Sequence, residues 1–243
     1  MASFSFKSAA AAAALTLAAG GAAQAETILK VHHFLPSGSS SHQKIIAPWC
    51  AKVEKESGGE LKCQIYPAMQ LGGTPPQLIQ QAIDGVADIV WTLPGYTAGR
   101  FPSMEVMELP FLTKDAESGS RAAWEIYQKY GQKDFAGLKA LAFHVHDRGQ
   151  IHNNKRPITK VADFKGLKMR APTRLTNKMI AALGATPVAM PMPQTPDAVS
   201  KGVVDGYVED RDGRRGAGGR GGCGDGRVHR ARGVVRHDVH RVD

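Results

Sequence analysis

One stretch constrains this chain more than any other: the run from Val161 to Tyr207, where three glycine-stopped turns alternate with strand and helix patterns. Val161–Gly166 is a helical turn ended by glycine. Leu167–Arg170 reads as a strand whose last residue is a cation. Thr173 stands at the N-cap of a helix that runs through Leu183 and stops at Gly184. A second short strand, Pro187–Met190, follows. In a strand–helix–strand unit, side chains at the carboxyl end of a strand line the crevice where open α/β sheets bind ligands. A guanidinium there stays charged at any accessible pH, and its fork matches a carboxylate through two parallel hydrogen bonds. Arg170 is therefore the expected anchor of a small organic acid. The competing reading is a local ion pair, with Asp163 the nearest partner.

The same architecture occurs once before. Thr74 caps a helix carrying Pro75 and Pro76 in its first turn, where proline is tolerated. The helix ends at Asp84-Gly85, and Ala87–Trp91 is an apolar strand that leaves through the loop Thr92–Tyr96. Trp91 and Tyr96 are positioned either to pack the core or to wall an acyl chain or ring. Upstream, Thr27–Val31 is a strand running into His32, His33 and Pro36. A helix over His42–Ser57 and a strand over Leu61–Tyr66 follow. Cys50 and Cys63 fall on those two elements and are either a disulfide or two buried thiols. Downstream, Asp115–Tyr130 reads as an amphipathic helix and Leu138–Val145 as a strand. His144 and His146 share a face there without a third metal ligand in predictable reach. The polar segment Asp147–Pro157 crosses into the second unit.

Several of these segments, in order, resemble one family. They are His33–Pro36, Tyr66–Gly73, Asp84–Trp91, Gly95-Tyr96, Glu108–Phe111, Gly166–Pro172, Gly184–Val188 and Lys201–Tyr207. The set looks like the solute-binding subunit of tripartite ATP-independent periplasmic (TRAP) transporters, of the dicarboxylate-binding type. The resemblance implies an α/β, two-lobe periplasmic binding protein fold with a central cleft. It implies capture of a small organic acid and delivery to a TRAP membrane permease. It also makes Arg170 the carboxylate anchor and places His33 in a loop over the cleft. Some members of the family carry a second arginine in the crossover. Here that spacing falls near Gln150, so Arg148 and His152, on either side, become further candidates for the ligand shell.

Both ends of the chain read differently. Lys7, the apolar run Ala9–Ala19 and the small residues up to Ala25 have the pattern of a signal peptide cleaved after Ala25. From Asp210 onward lysine disappears, and the tail holds nine arginines against five acids amid dense glycine. That composition fits a GC-rich gene read out of frame better than a nucleic-acid-binding tail, and the resemblance ends at about Glu209. The net charge of +9 is therefore inflated by the tail and is not evidence for a polyanionic partner.

The expected organisation is a signal peptide over 1–25, a first α/β lobe over 26–147, and a partial second lobe over 148–209. An aberrant arginine–glycine tail over 210–243 leaves the fold incomplete at its C-terminus. The expected ligand shell is Arg170, Arg148, His152, Trp91, Tyr96 and His33, with no cofactor, no metal and a monomeric state. Gly-x-Ser-x-Gly, GxxxxGK[ST] and HExxH patterns are absent from the sequence. The chain reads as a binding protein rather than an enzyme. The alternative is a periplasmic lyase or hydrolase acting on a small carboxylate.

Overall fold

The computed structural model describes residues 26–109, 112–146 and 149–209, together with the backbone of a short strand at His229–Arg230. The expected signal peptide and nearly all of the tail lie outside the described residues. So do Arg148 and the expected lobe boundary at 147–148.

The first half builds a parallel sheet. Its elements are β1 (Thr27–His33), α1 (Ala47–Glu56), β2 (Leu61–Tyr66), α2 (Leu78–Ile83) and β3 (Ile89–Trp91). The strand order is β2-β1-β3. Val31 pairs with Ile65 and Ile89, and His33 pairs with Trp91. Paired residues share a face, so Val31, Ile65 and Ile89 together pack on Ile46 and Cys50 of the helix above. The helix expected over His42–Ser57 is present but opens with a wide turn over His42–Ile46 before α1. Pro48 in the first turn of α1 has no N–H to give the preceding turn, which a tight α-helical entry would require.

Next come α3 (Pro102–Glu105) and α4 (Ala116–Ile126). They close over Phe101, Met104, Tyr127 and Phe135, with the Tyr127 and Phe135 rings edge-on at 5.2 Å. The strand expected at Leu138–Val145 is not formed. Leu138, Ala140, Phe143 and Val145 pack on this aromatic cluster instead, and the Val145 N–H donates to Ser120 Oγ on α4 at 2.8 Å. A helix side chain thus takes the donor that a neighbouring strand would have used.

The second half builds a mixed sheet from β4 (Gln150–Asn153), β5 (Lys168–Ala171), β6 (Thr186–Ala189), β7 (Gly206–Glu209) and β8 (His229–Arg230). Helices α5 (Arg174–Ala182) and α6 (Thr195–Ser200) connect its strands. The strand order is β6-β5-β7-β4-β8; β5 runs parallel to β6 and β7, while β4 is antiparallel to β7. One face of this sheet is apolar: Ile151, Met169, Ala171 and Val208 meet Phe164, Leu167 and Ile180. The other face is polar. Arg170 pairs with Tyr207, Tyr207 pairs with His152, and Glu209 pairs with Gln150. Period-2 alternation therefore lines His152, Tyr207, Arg170 and Glu209 along one side. The molecule is a two-lobe α/β structure.

The strand–helix–strand unit around Arg170 forms as its sequence indicates. Thr173 caps α5, and Gly166 and Gly184 adopt φ of +80° and +91° at the ends of their turns. Thr195 marks the start of the next helix, α6, with Gln194 at the N-cap position.

Cys50 on α1 and Cys63 on β2 are joined as a disulfide, with their Cα atoms 5.6 Å apart. The bridge closes a loop of sequence separation 13 and staples the helix to the sheet. Replacing both cysteines by serine should lower stability by roughly 2–4 kcal/mol, the range for natural bridges of this kind. Thermal melts with and without a reductant check this. An unchanged melting temperature on reduction, with both thiols then titratable, would contradict a stabilising bridge.

Candidate functional site

Arg170 occupies the carboxyl-terminal half of β5 on the polar face of the second sheet and is 0% exposed. Such a charge is costly to bury unless it is paired and hydrogen-bonded. Its Nε donates to the Met190 carbonyl at 3.0 Å. Its Nη1 donates to the Val208 carbonyl at 3.0 Å and to the Glu209 carboxylate at 2.8 Å. A guanidinium has five N–H groups, of which these contacts use three. Nη2 is buried and has no hydrogen-bond partner among the described residues. Asp163, the nearest candidate for a local ion pair, is engaged elsewhere: its carboxylate accepts from the Thr159 and Lys160 backbone N–H groups.

The first lobe meets this face through Tyr96. The Met192 N–H donates to the Tyr96 hydroxyl oxygen at 2.9 Å. Burial raises the pKa of the phenol; the nearby Arg170 charge works against that rise and Glu209 adds to it. Phe34 lies 5.4 Å from the Tyr96 ring and 5.2 Å from Trp91. Phe34, Leu35, Leu78 and Met192 form a buried cluster that spans the two lobes, with Trp91 and Tyr96 at its margin. The Trp91 Nε1–H donates to His144 Nε2 at 2.8 Å, and the two rings stack.

Two polar contacts flank this aromatic wall between the lobes. Arg174, at the start of α5, forms an ion pair with Glu105 of α3, its Nε lying 2.8 Å from one carboxylate oxygen. The Thr173 hydroxyl donates to Glu108, whose pKa is raised by burial and partly restored by that hydrogen bond. Gly95 fits between them. A Cβ there would come within 2.5 Å of both Glu108 Oε1 and Thr173 Cγ2.

The structure brings together some of the expected site residues and separates others. Arg170, His152 and Tyr96 converge on the polar face, with His152 stacked on Tyr207 at 5.0 Å and 1% exposed. Trp91 is one ring removed from Tyr96, through Phe34. His33 is buried on β1, but its contacts run the other way, toward His42 and Leu35. Phe34, Met192, Tyr207 and Glu209 were not expected. Tyr207 and Glu209 share the Arg170 face through the register of β7 against β5, a pairing that strand composition does not reveal. Phe34 follows His33 in sequence, and adjacent residues at a strand end point to opposite sides.

The described residues form a two-lobe α/β structure with a buried arginine and, beside it, a cluster of aromatic rings. Residues 31–209 match the model of the bacterial extracellular solute-binding protein family 7, and the chain belongs to that family. It is 50% identical to a TRAP solute-binding protein of Rhodoferax ferrireducens solved with copurified benzoate. The match has a TM-score of 0.75 and covers 76% of this chain and 58% of that one. A marine metagenome TRAP solute-binding protein, specific for aromatic acid ligands and crystallised with 3-hydroxybenzoate, is 49% identical. Its TM-score is 0.75, over 77% of this chain and 59% of that one. Among curated relatives, the sialic acid-binding periplasmic protein of Vibrio cholerae is 31% identical over 79% of this chain and 60% of its own length. The chain thus spans between half and two thirds of the length of these relatives. Among the described residues, no helix is long and apolar enough to cross a membrane.

The geometry around His33 makes a prediction about acid. The Leu35 N–H donates to His33 Nδ1 at 3.2 Å, so that nitrogen carries no proton. The proton therefore sits on Nε2, which donates to His42 Nδ1 at 2.9 Å. Burial, then the neighbouring His42 and His32, lowers the His33 pKa to about 4. The neutral ring contributes its stability in full above the unfolded value near 6.5, and that contribution is lost as pH falls toward 4. Denaturant unfolding followed across this window should show declining stability, and His33→Gln should flatten the decline. A variant with the same pH slope as the parent would remove His33 as a cause.

Proposed function

We propose that this protein captures a small aromatic carboxylate between its lobes and hands it to a TRAP membrane permease. The observation that carries the reading is the buried Nη2 of Arg170, with its two undirected N–H groups beside Tyr96 and the Phe34–Trp91 ring pair. An anion satisfies the first feature and an aromatic ring the second. The benzoate and 3-hydroxybenzoate held by the two structural relatives, at half sequence identity, support this class of ligand over a sugar acid or dicarboxylate. The ligand shell we propose is Arg170 as anchor, Tyr96, Phe34 and Trp91 as the wall, and His152 with Tyr207 along the polar strand row. Arg148 adjoins that row in sequence and is retained as a candidate. His33 supports the loop that carries Phe34 rather than contacting ligand.

The organisation expected from the sequence belongs to the same proposal: a signal peptide cleaved after Ala25, a periplasmic location, and a lobe boundary near 147–148. A binding protein returns its ligand unchanged, whereas the enzyme alternative predicts turnover. Isothermal titration with benzoate, followed by recovery and chromatography of the acid, tests both. Unaltered benzoate bound with one-to-one stoichiometry is expected. Arg170→Ala should cost about 2–5 kcal/mol of affinity, as when one partner of a buried charge pair is removed. A loss smaller than tenfold in a variant that melts like the parent would overturn Arg170 as the anchor.

A further inference from the structure

We propose that Glu209 is a resident carboxylate holding the place on Arg170 that an incoming acid takes, so that ligand capture displaces it. This rests on the reading of the site given above. The donor geometry carries it. The strongest arginine–carboxylate contact is bidentate and uses two adjacent nitrogens of the fork. The Nε–Nη2 edge is compromised because Nε is committed to the Met190 carbonyl. The Nη1–Nη2 edge has Nη2 unengaged among the described residues. Of the two Nη1 hydrogens, one goes to the Val208 carbonyl and the other to Glu209 Oε2. The carbonyls belong to the backbone: Val208 lies within β7, and Met190 directly follows β6, where its neighbour Met192 is held by Tyr96. Glu209 is a side chain at the last position of β7, and its side chain is 16% exposed where that of Arg170 is 0% exposed. Among the described hydrogen-bond acceptors of the guanidinium, it is the one on a side chain, so it can leave without disturbing the sheet.

Charge leads to the same conclusion. Arg170 and Glu209 form an ion pair. A ligand carboxylate placed on Nη2 while Glu209 stays on Nη1 would set two carboxylates side by side, which like-charge repulsion opposes. Withdrawal of Glu209 toward solvent restores one anion per guanidinium and frees the bidentate edge. The two backbone carbonyls on Nε and Nη1 meanwhile keep the guanidinium aimed. Glu209 then acts as an internal competitor, and the measured affinity for an acid is the difference between two carboxylates contesting one arginine.

The sign of the effect separates this role from ordinary support of the site. Glu209→Gln keeps the size and an acceptor oxygen but removes the charge. Titration of the full-length parent and variant with benzoate should show the variant binding at least tenfold tighter. Unchanged or weaker binding by a variant with the parent's melting profile would overturn the proposal. If Glu209→Gln does not fold, Glu209→Asp retracts the carboxylate by one methylene. It should tighten benzoate binding by a few-fold, and weaker or equal binding there would equally overturn the proposal. Failure of the parent itself to bind benzoate or any other small carboxylate would instead remove the functional reading on which this inference stands.

Discussion

The arrangement of both lobes depends on keeping one positive charge out of water. Arg170 has no exposed surface, and a lone cation in that position would be strongly unfavourable. Among the described residues, two backbone carbonyls and one carboxylate compensate it, and they come from the ends of two strands, one on each side of β5. Met190 follows β6, Val208 lies within β7, and Glu209 ends β7. The strand order that brings β6 and β7 to either side of β5 is therefore also what solvates the guanidinium. The apolar face of the same sheet, filled by Phe164, Leu167 and Ile180, fixes the register that makes this possible.

Much of this was legible in the sequence wherever local chemistry decides local structure. The strand–helix–strand unit around Arg170 announced itself through Thr173 and the two glycines that stop its turns. The strand ending at Trp91 and the loop to Tyr96 did the same in the first lobe. The sequence was silent where long-range pairing decides. Nothing local indicates that Glu209, thirty-nine positions beyond Arg170, lies on its face. Leu138–Val145 has the residues of a strand, yet Ser120 offers its backbone a closer acceptor than any strand among the described residues. His33 shows the same limit: its hydrogen bonds to His42 and from the Leu35 N–H depend on how the loop after β1 folds, which the pair of adjacent histidines does not spell out.

The two lobes meet through chemically distinct contacts, each suited to a different task. Met192 inserted beside Phe34, Leu35 and Leu78 excludes water from the centre. The Tyr96 hydroxyl fixes the chain that follows β6 through the Met192 N–H. The Arg174–Glu105 pair lies at the rim, with the arginine half exposed, where ion pairs add little net stability but define orientation. A cleft held in this way separates the groups that recognise a ligand from the groups that set how the lobes approach.

Gly95 sits at that approach with Glu108 on one side and the branched side chain of Thr173 on the other. Its backbone is not left-handed, so glycine is required there for volume rather than for conformation. The carboxylate of Glu108 can swing away from an added methyl group, but the Thr173 methyl is fixed by its role in capping α5. Position 95 therefore works as a spacer of zero thickness. In a related chain, any side chain at this point would act as a doorstop between Glu108 and Thr173, and the spacing there would be written in the size of one residue.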